Sequence, residues 1–345
     1  MSSEGKILQE GPLFHMNGAL PEATNQLEDL LKRSSEDEKC ASLVRFDSNE
    51  KGDQDEADYT EEIGRLDYFI NYAYGYGYEY FLMWNDVLDD MDACGKQRAS
   101  LNVISLGCGS GIDFWSLRSA LVLRKQLNRR RRLIGVDKAN WSDCSIDFVK
   151  RYDSERGSRY RWHCDAAEYL KGVDAEADGA LESNIIVFPK SIGELNMSAI
   201  EDIAESLAGM AKERELYLCI CPAHGSVELW RNMEATVQKI QYILNEVAKA
   251  ADAKLVACGE SHKSDKYISE LTPKDWLGHL DNKQEKGLPL DKVNRLKSCC
   301  VHASEGAECP WRRKHPDAKE CRLEHSPISK GAYPCYRIYR IPKQA

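Results

Sequence analysis

Between residues 105 and 111 the chain reads Ser105-Leu106-Gly107-Cys108-Gly109-Ser110-Gly111. Glycines at alternate positions let a backbone turn tightly and come close to a ligand. The segment follows an apolar run, LNVISLG from Leu101, and precedes a helical pattern from about Asp113 to Asn128. Its peptide N–H groups would therefore stand at a helix N-terminus, where several lack intrahelical partners. Asp137 closes the next apolar run, RRLIGVD, 26 residues after Gly111. A carboxylate at such a strand tip can accept hydrogen bonds from both hydroxyls of a ribose, or simply cap a helix. Asp165, in HCDAAEYL, closes a third run and opens a helix. It could accept from an adenine amino group, or serve as an N-cap.

Two ligand classes use a glycine loop in this position. Dinucleotide enzymes want G-x-G-x-x-G with a pyrophosphate on the helix end. Here the third glycine comes one residue early, and Ile112 stands where that motif wants glycine. G-x-G-x-G instead matches the cradle for the amino-acid end of S-adenosylmethionine. VISLGCGSGIDFWSL, LIGVD, HCDA and IIVFPKSIGEL, in that order, resemble a class I S-adenosylmethionine-dependent methyltransferase over about residues 65–260 plus the last strand. The resemblance implies an α/β, Rossmann-like, seven-stranded, mostly parallel sheet with helices on both faces and an antiparallel last strand. It implies a cofactor site of Gly107, Cys108, Gly109 and Gly111 for the methionine part, Asp137 for the ribose and Asp165 for the adenine, with Phe188 and Tyr76 beside them. The family often carries an acid two residues before the first glycine, positioning backbone or the methionine amine; this chain has Ser105 there.

The loop after the fourth strand, Phe188-Pro189-Lys190-Ser191-Ile192-Gly193-Glu194, is where the family usually places catalytic residues. Neither the (Asp/Asn)-Pro-Pro-aromatic motif of amino-directed base methylation nor the Pro-Cys nucleophile of cytosine methylation is present. Lys190 and Glu194 are the catalytic candidates. A desolvated lysine could act as a base, and the plainer expectation is that Lys190 points to solvent. Methyl transfer from a sulfonium can draw much of its rate from alignment, so a missing acid–base dyad does not count against the reading.

Residues 61–92 are rich in aromatics and read as one or two helices broken at Gly75–Gly77. They cover a sheet face, or bring Tyr72, Tyr74 or Tyr76 to a pocket where a ring would stack on a flat base or a sulfonium. Onward from Leu101, apolar runs alternate with helical patterns, which argues for a parallel sheet covered on both faces. Helices are expected near 143–152, 198–213 and 226–250, and YPCYRIYRI supplies a last strand. The chain divides into an acidic, largely disordered arm over 1–60, an aromatic helical cover over 61–98, a core over 99–260, an insertion over 261–332 and a closing strand over 333–345.

That insertion holds four cysteines and three histidines between residues 299 and 325. Cys300, Cys309, Cys321 and His325 could supply three thiolates and an imidazole to a structural zinc. The order resembles CCCH fingers, which often bind single-stranded RNA, although the middle spacing is longer. Incidental thiols in a surface loop are the competing account. Basic runs at Arg124–Arg132 and Arg312–Arg322 could meet phosphates, or be a helix C-terminus and a solvated loop.

The net charge of −9 misleads as an average. Residues 1–62 hold sixteen acids and six bases, a net of −10, so the remainder is near +1. No apolar run reaches the roughly 18 residues of a membrane helix, and the start lacks a signal-peptide layout. An intracellular, cytoplasmic chain is expected, with the nucleus also open. Its thirteen cysteines read as small buried hydrophobes rather than a disulfide framework. The expected partners are S-adenosylmethionine and an unidentified methyl acceptor, RNA slightly ahead of protein or small molecule, with no membrane. The rivals are a non-catalytic RNA- or protein-binding module that keeps the fold, and a nicotinamide oxidoreductase.

Overall fold

A computed structural model describes residues 14–35, 38–39, 42, 44–46, 61–142, 158–172, 183–221, 230–261, 295–296, 298–299, 318–321 and 336–343. The chain separates into two compact units. The expected helix near 143–152 lies outside the described residues.

The larger unit spans Tyr76–Ala139, Val149–Leu271 and Ala332–Ala345. It holds strands β2 (Leu101–Leu106), β3 (Arg131–Val136), β4 (Ser158–Arg161), β5 (Ile185–Pro189), β6 (Leu216–Cys221), β7 (Val256–Ser261) and β9 (Tyr336–Ile341). They form one sheet in the order β4-β3-β2-β5-β6-β9-β7. Only β9 runs antiparallel to its neighbours, β6 and β7. The sheet is therefore the seven-stranded, mostly parallel α/β sheet expected, with its closing strand reversed. All six residues of β6 and all five of β5 are buried. Such continuous apolar runs mark strands covered on both faces.

The order of strands sets the place of a site. From β2 the chain steps one way to β3 and β4, then returns to β5 on the other side and continues to β6. Open α/β sheets bind ligands outside the carboxyl ends of the strands where the order reverses. That point is the gap between the ends of β2 and β5, and the glycine loop and Lys190 follow those two ends directly.

Helices fix these ends. The helix Ile112–Leu123 (α3) buries ten of its twelve residues, the mark of a helix enclosed all round. Part of its cover is the 32-residue helix Glu62–Ala93 (α2). Trp84 Nε1 donates to the Asp113 carbonyl at 2.8 Å, and the Ser116 hydroxyl donates to the Gly77 carbonyl at 2.8 Å. The break expected at Gly75–Gly77 is absent; the helix runs through. A glycine costs a helix only about 1 kcal/mol, and packing of this kind outweighs that. On the other side, Met197–Glu213 (α5) buries Ile200, Ile203, Ala204, Leu207 and Met210. It packs on Trp230–Ala251 (α6), which buries Ile240, Ile243, Leu244 and Val247. Both stripes follow the 3.6-residue helical period, and each fully buried leucine or isoleucine contributes about 1.5–3 kcal/mol. Asn196 caps α5, its side chain accepting from the Ala199 amide at 2.8 Å.

The smaller unit comprises Met1–Gly75, Asn140–Phe148 and Thr272–Gly331. The acidic arm contains the helix Phe14–Arg33 (α1), where the helical spacing of Leu27, Leu30 and Leu31 leads one to expect a helix from about Glu22, and it buries Ala23, Leu27 and Leu31 at four-residue spacing. Residues Val44–Phe46 (β1) pair antiparallel with Ala318–Cys321 (β8), so arm and insertion share one two-stranded sheet. Glu28, buried in α1, pairs with Lys32 at 2.6 Å and with Arg295. Tyr68 packs on Tyr72, with centroids 4.7 Å apart, and edge-on against Trp141.

Candidate functional site

The glycine loop is built for close approach. Gly107, Gly109 and Gly111 have φ of 73°, 51° and 71°, values that cost a side-chain-bearing residue about 1–2 kcal/mol. The amides of Gly107 and Cys108 donate to the Val136 carbonyl at 2.8 and 3.1 Å, tying the loop to the tip of β3. A Cβ on Gly107 would lie 2.3 Å from Ser191 Cβ. Ser191 itself donates to the Leu106 carbonyl at 2.5 Å. The ends of β2 and β5 are thus locked together at the reversal point. Gly111 is the N-cap of α3 and offers it no side-chain cap.

Asp137 stands at the adjacent tip. Its Oδ2 accepts from the Gly109 amide at 2.8 Å and its Oδ1 from the Ala139 amide at 2.9 Å. The 26-residue spacing thus resolves into a direct contact between the acid and the loop's central glycine. These two bonds fix the carboxylate at the strand tip beside the loop. Asp165 takes up the capping role: Oδ1 accepts from the amides of Ala167 and Glu168, at the start of Ala166–Lys171 (α4). Its Oδ2 lies 3.5 Å from Lys138 Nζ.

Gly135, in β3 beneath the loop, has no room for more. A Cβ there would lie 2.7 Å from the Tyr160 ring and 2.8 Å from Cys108 Sγ. Tyr160 in turn stacks on Trp162 with centroids 5.0 Å apart. Gly135→Ala should therefore cost about 1–3 kcal/mol, the usual cost of overpacking. Urea denaturation of the variant checks this, and a loss under a few tenths would show that Tyr160 swings away freely.

A polar group that sequence reasoning missed lies behind the loop. Asp113 is fully buried in the first turn of α3, and neither carboxyl oxygen closes a hydrogen bond. Burial pushes its carboxyl up to about 7; the Ser105 hydroxyl and the amides of Phe114 and Asp113 favour the anion and only partly oppose this. The hydroxyls of Ser105 and Ser110, both buried, are without hydrogen-bond partners too. Buried polar atoms are rarely left unmatched, and here three such side chains flank one loop. The only sequence signal was an acid two residues past the last glycine. Burial pushes the Cys108 thiol well above its usual range, and the charges of Asp137 and Asp113 add to this.

On the β5 side, Lys190 does not point to solvent. It is buried, with φ of 67°, and its amide donates to the Cys221 carbonyl at 2.8 Å. Its Nζ lies 2.5 Å from Glu79 Oε1 and 4.9 Å from the centroid of the Tyr76 ring. Tyr76 does meet a cation, but that cation is Lys190. Glu79 is fully buried on α2, 111 residues away in sequence, and no local pattern marked it. Glu194 sits exposed in the turn after β5, its amide donating to the Ser191 carbonyl at 3.0 Å. Phe188 is fully buried in the main core cluster, which gives it a packing role.

Of the expected zinc ligands, Cys300, Cys309 and His325 lie outside the described residues, and of Cys321 only the backbone is described, in β8. Among the described residues no group of histidines, cysteines and acids could hold a metal. Three arginines of the first basic run are spent internally: Arg129 donates to the carbonyls of Ala99 and Lys96, Arg131 to that of Leu127, and Arg124 to Asn85 and Asp89, while Lys125 and Arg130 are exposed. The second basic run lies outside the described residues. A shallow pocket lined by Met91, Lys96, Asn184 and Glu215 opens at the amino ends of the strands. That is the end where open α/β sheets do not place their ligands, so it is not the candidate site. No described helix is long and apolar enough to cross a membrane.

No protein-family model and no curated protein matches the sequence. Among solved structures, a cyclopropane-fatty-acyl-phospholipid synthase-like protein from Lactobacillus casei ATCC 334 is 11% identical, with a TM-score of 0.39, covering 77% of this chain and 92% of its own. The plantazolicin methyltransferase BpumL, solved with a substrate analogue and SAH, is 12% identical, with a TM-score of 0.40, covering 94% and 99%. A protein described as a zinc-dependent alcohol dehydrogenase from Rhodobacter sphaeroides is 13% identical, with a TM-score of 0.28, covering 76% and 89%. Likeness at these scores carries no inference about chemistry.

Proposed function

We propose that the chain is an S-adenosylmethionine-dependent methyltransferase. One observation carries this reading: at the reversal point of the sheet, a G-x-G-x-G turn, an uncapped helix N-terminus and a strand-tip carboxylate converge around buried polar side chains that lack partners. The donor supplies an activated methyl on a sulfonium. The peptide groups of Gly107–Gly111 cradle its amino-acid end, with Cys108 contributing backbone. Asp137 accepts from the ribose hydroxyls, and Asp165 Oδ2 accepts from the adenine edge. Lys190 and Glu79 face the acceptor. Lys190 can donate to an acceptor oxygen, Glu79 can take its proton, and alignment supplies much of the rate.

Asp137→Ala should weaken binding of S-adenosylhomocysteine tenfold or more, the loss expected when about 1.4 kcal/mol or more of charge-assisted hydrogen bonding is removed. Titration calorimetry measures it, and unchanged affinity would refute the site. The acceptor is then found by incubating the chain with methyl-labelled donor and cell extract and separating label in RNA, protein and small molecules. With Arg124, Arg129 and Arg131 bonded internally, RNA has no special claim in that assay. Stoichiometric zinc by elemental analysis would support the Cys300, Cys309, Cys321 and His325 set.

A further inference from the structure

The two charges at the β5 tip are matched. Lys190 Nζ and Glu79 Oε1 lie 2.5 Å apart, with 5% and 0% of their side chains exposed, so they balance each other out of water. A carboxylate, phosphate or ammonium arriving there would bring a third charge with nothing to offset it, which is costly in a desolvated place. A neutral hydroxyl brings none, but its proton must go somewhere. Two other ionisable groups near the pair, among the described residues, are already engaged. Tyr336, which feels the Glu79 charge, donates its hydroxyl to Asp86 at 2.7 Å. The Cys221 thiol rests 3.4 Å from Met83 Sδ. Glu79 is left to receive the proton.

A carboxylate is a weak base, and proton transfer is most effective between groups of matched strength. An alkyl alcohol is too weak an acid to suit it. A phenol such as that of tyrosine ionises at about 10, and a cation beside the oxygen brings this down; Lys190 is such a cation. The ring at the same place is Tyr76, half-buried, with the Lys190 ammonium 4.9 Å from its centroid. Aromatic rings pack well on one another. Resting on the methyl-donor reading, we propose that the acceptor is a neutral phenol, its hydroxyl seated at the Lys190–Glu79 pair and its ring against Tyr76. The phenol's O–H bond breaks and the proton passes to Glu79, while Lys190 holds the oxygen as phenolate. That oxygen bonds to the methyl carbon as the carbon–sulfur bond breaks, its electron pair staying on sulfur and cancelling the sulfonium charge. Glu79 then releases the proton to solvent.

The probe is 4-nitrophenol, whose phenolate is yellow and whose neutral form is not. It is added to the full chain with saturating S-adenosylhomocysteine, at a pH where the free probe is mostly neutral. The bound probe should turn yellow. By calorimetry, 4-nitrobenzoate and 4-nitrobenzylamine, which carry a charge on the same ring, should bind at least tenfold more weakly. The double variant Lys190→Met, Glu79→Leu should still bind S-adenosylhomocysteine, which shows that it is folded, and should lose the yellow band. A probe that does not bind or stays neutral when bound, a band that survives in the double variant, or benzoate or benzylamine binding as tight as the phenol would overturn the phenol assignment and leave the donor reading intact. If S-adenosylhomocysteine itself does not bind, the donor reading falls and the phenol assignment with it.

Discussion

Lys190→Met should destabilise the larger unit by about 3–5 kcal/mol, because it removes the cation paired with a buried carboxylate. Glu79 is fully buried and Lys190 nearly so, with 2.5 Å between them. Removing the cation takes away the ion pair that offsets the burial of Glu79. The effect does not come from strain: methionine at a φ of 67° is no better off than lysine, so that cost cancels in the comparison. The double variant Lys190→Met, Glu79→Leu should recover most of the loss, since replacing both partners of a buried pair by apolar groups is often neutral or better. Urea denaturation followed by tryptophan fluorescence gives both numbers. A single-variant loss below about 1 kcal/mol, or a double variant no better than the single, would show that the pair is not what maintains Glu79 in the core. If the double variant is stable but inactive, the pair is retained for chemistry at the acceptor face rather than for folding.

What was legible in the sequence was whatever is local. The G-x-G-x-G turn, the strand before it and the acid at residue 137 announce themselves because strand, turn and helix follow within a few residues. Asp165 opens a helix, and its N-cap geometry followed from residue type alone. The 3.6-residue stripes of α5 and α6 set their buried faces. The rest was hidden for a physical reason. Glu79 is one acid in an aromatic helix, and only the packing of α2 brings it to a lysine 111 residues away. Lys190 looked like a surface residue because lysines mostly are; a partner invisible in sequence reversed that. Gly75 and Gly77 read as a break because intrinsic propensity is local, whereas the Ser116 contact that holds Gly77 in helix is tertiary. The pairing of β1 with β8 joins residues some 275 apart, and nothing in either short segment points to the other.

The second large effect concerns pH. Asp113 holds its proton in the folded chain up to about 7, whereas an unfolded aspartate releases it near 4. Below about pH 4 both states are protonated and the acid has no net effect. Between about 4 and 7 the unfolded chain ionises and the folded chain does not, so stability falls by up to 1.4 kcal/mol per pH unit. Above about 7 both are ionised and the loss levels off, at about 4 kcal/mol as an upper figure. Asparagine cannot ionise. Asp113→Asn should therefore match the wild-type stability near pH 4, gain on it steadily toward pH 7 and keep a constant lead beyond. Denaturant midpoints from pH 4 to 9 measure this, and parallel curves for the two proteins would remove the buried acid from the argument.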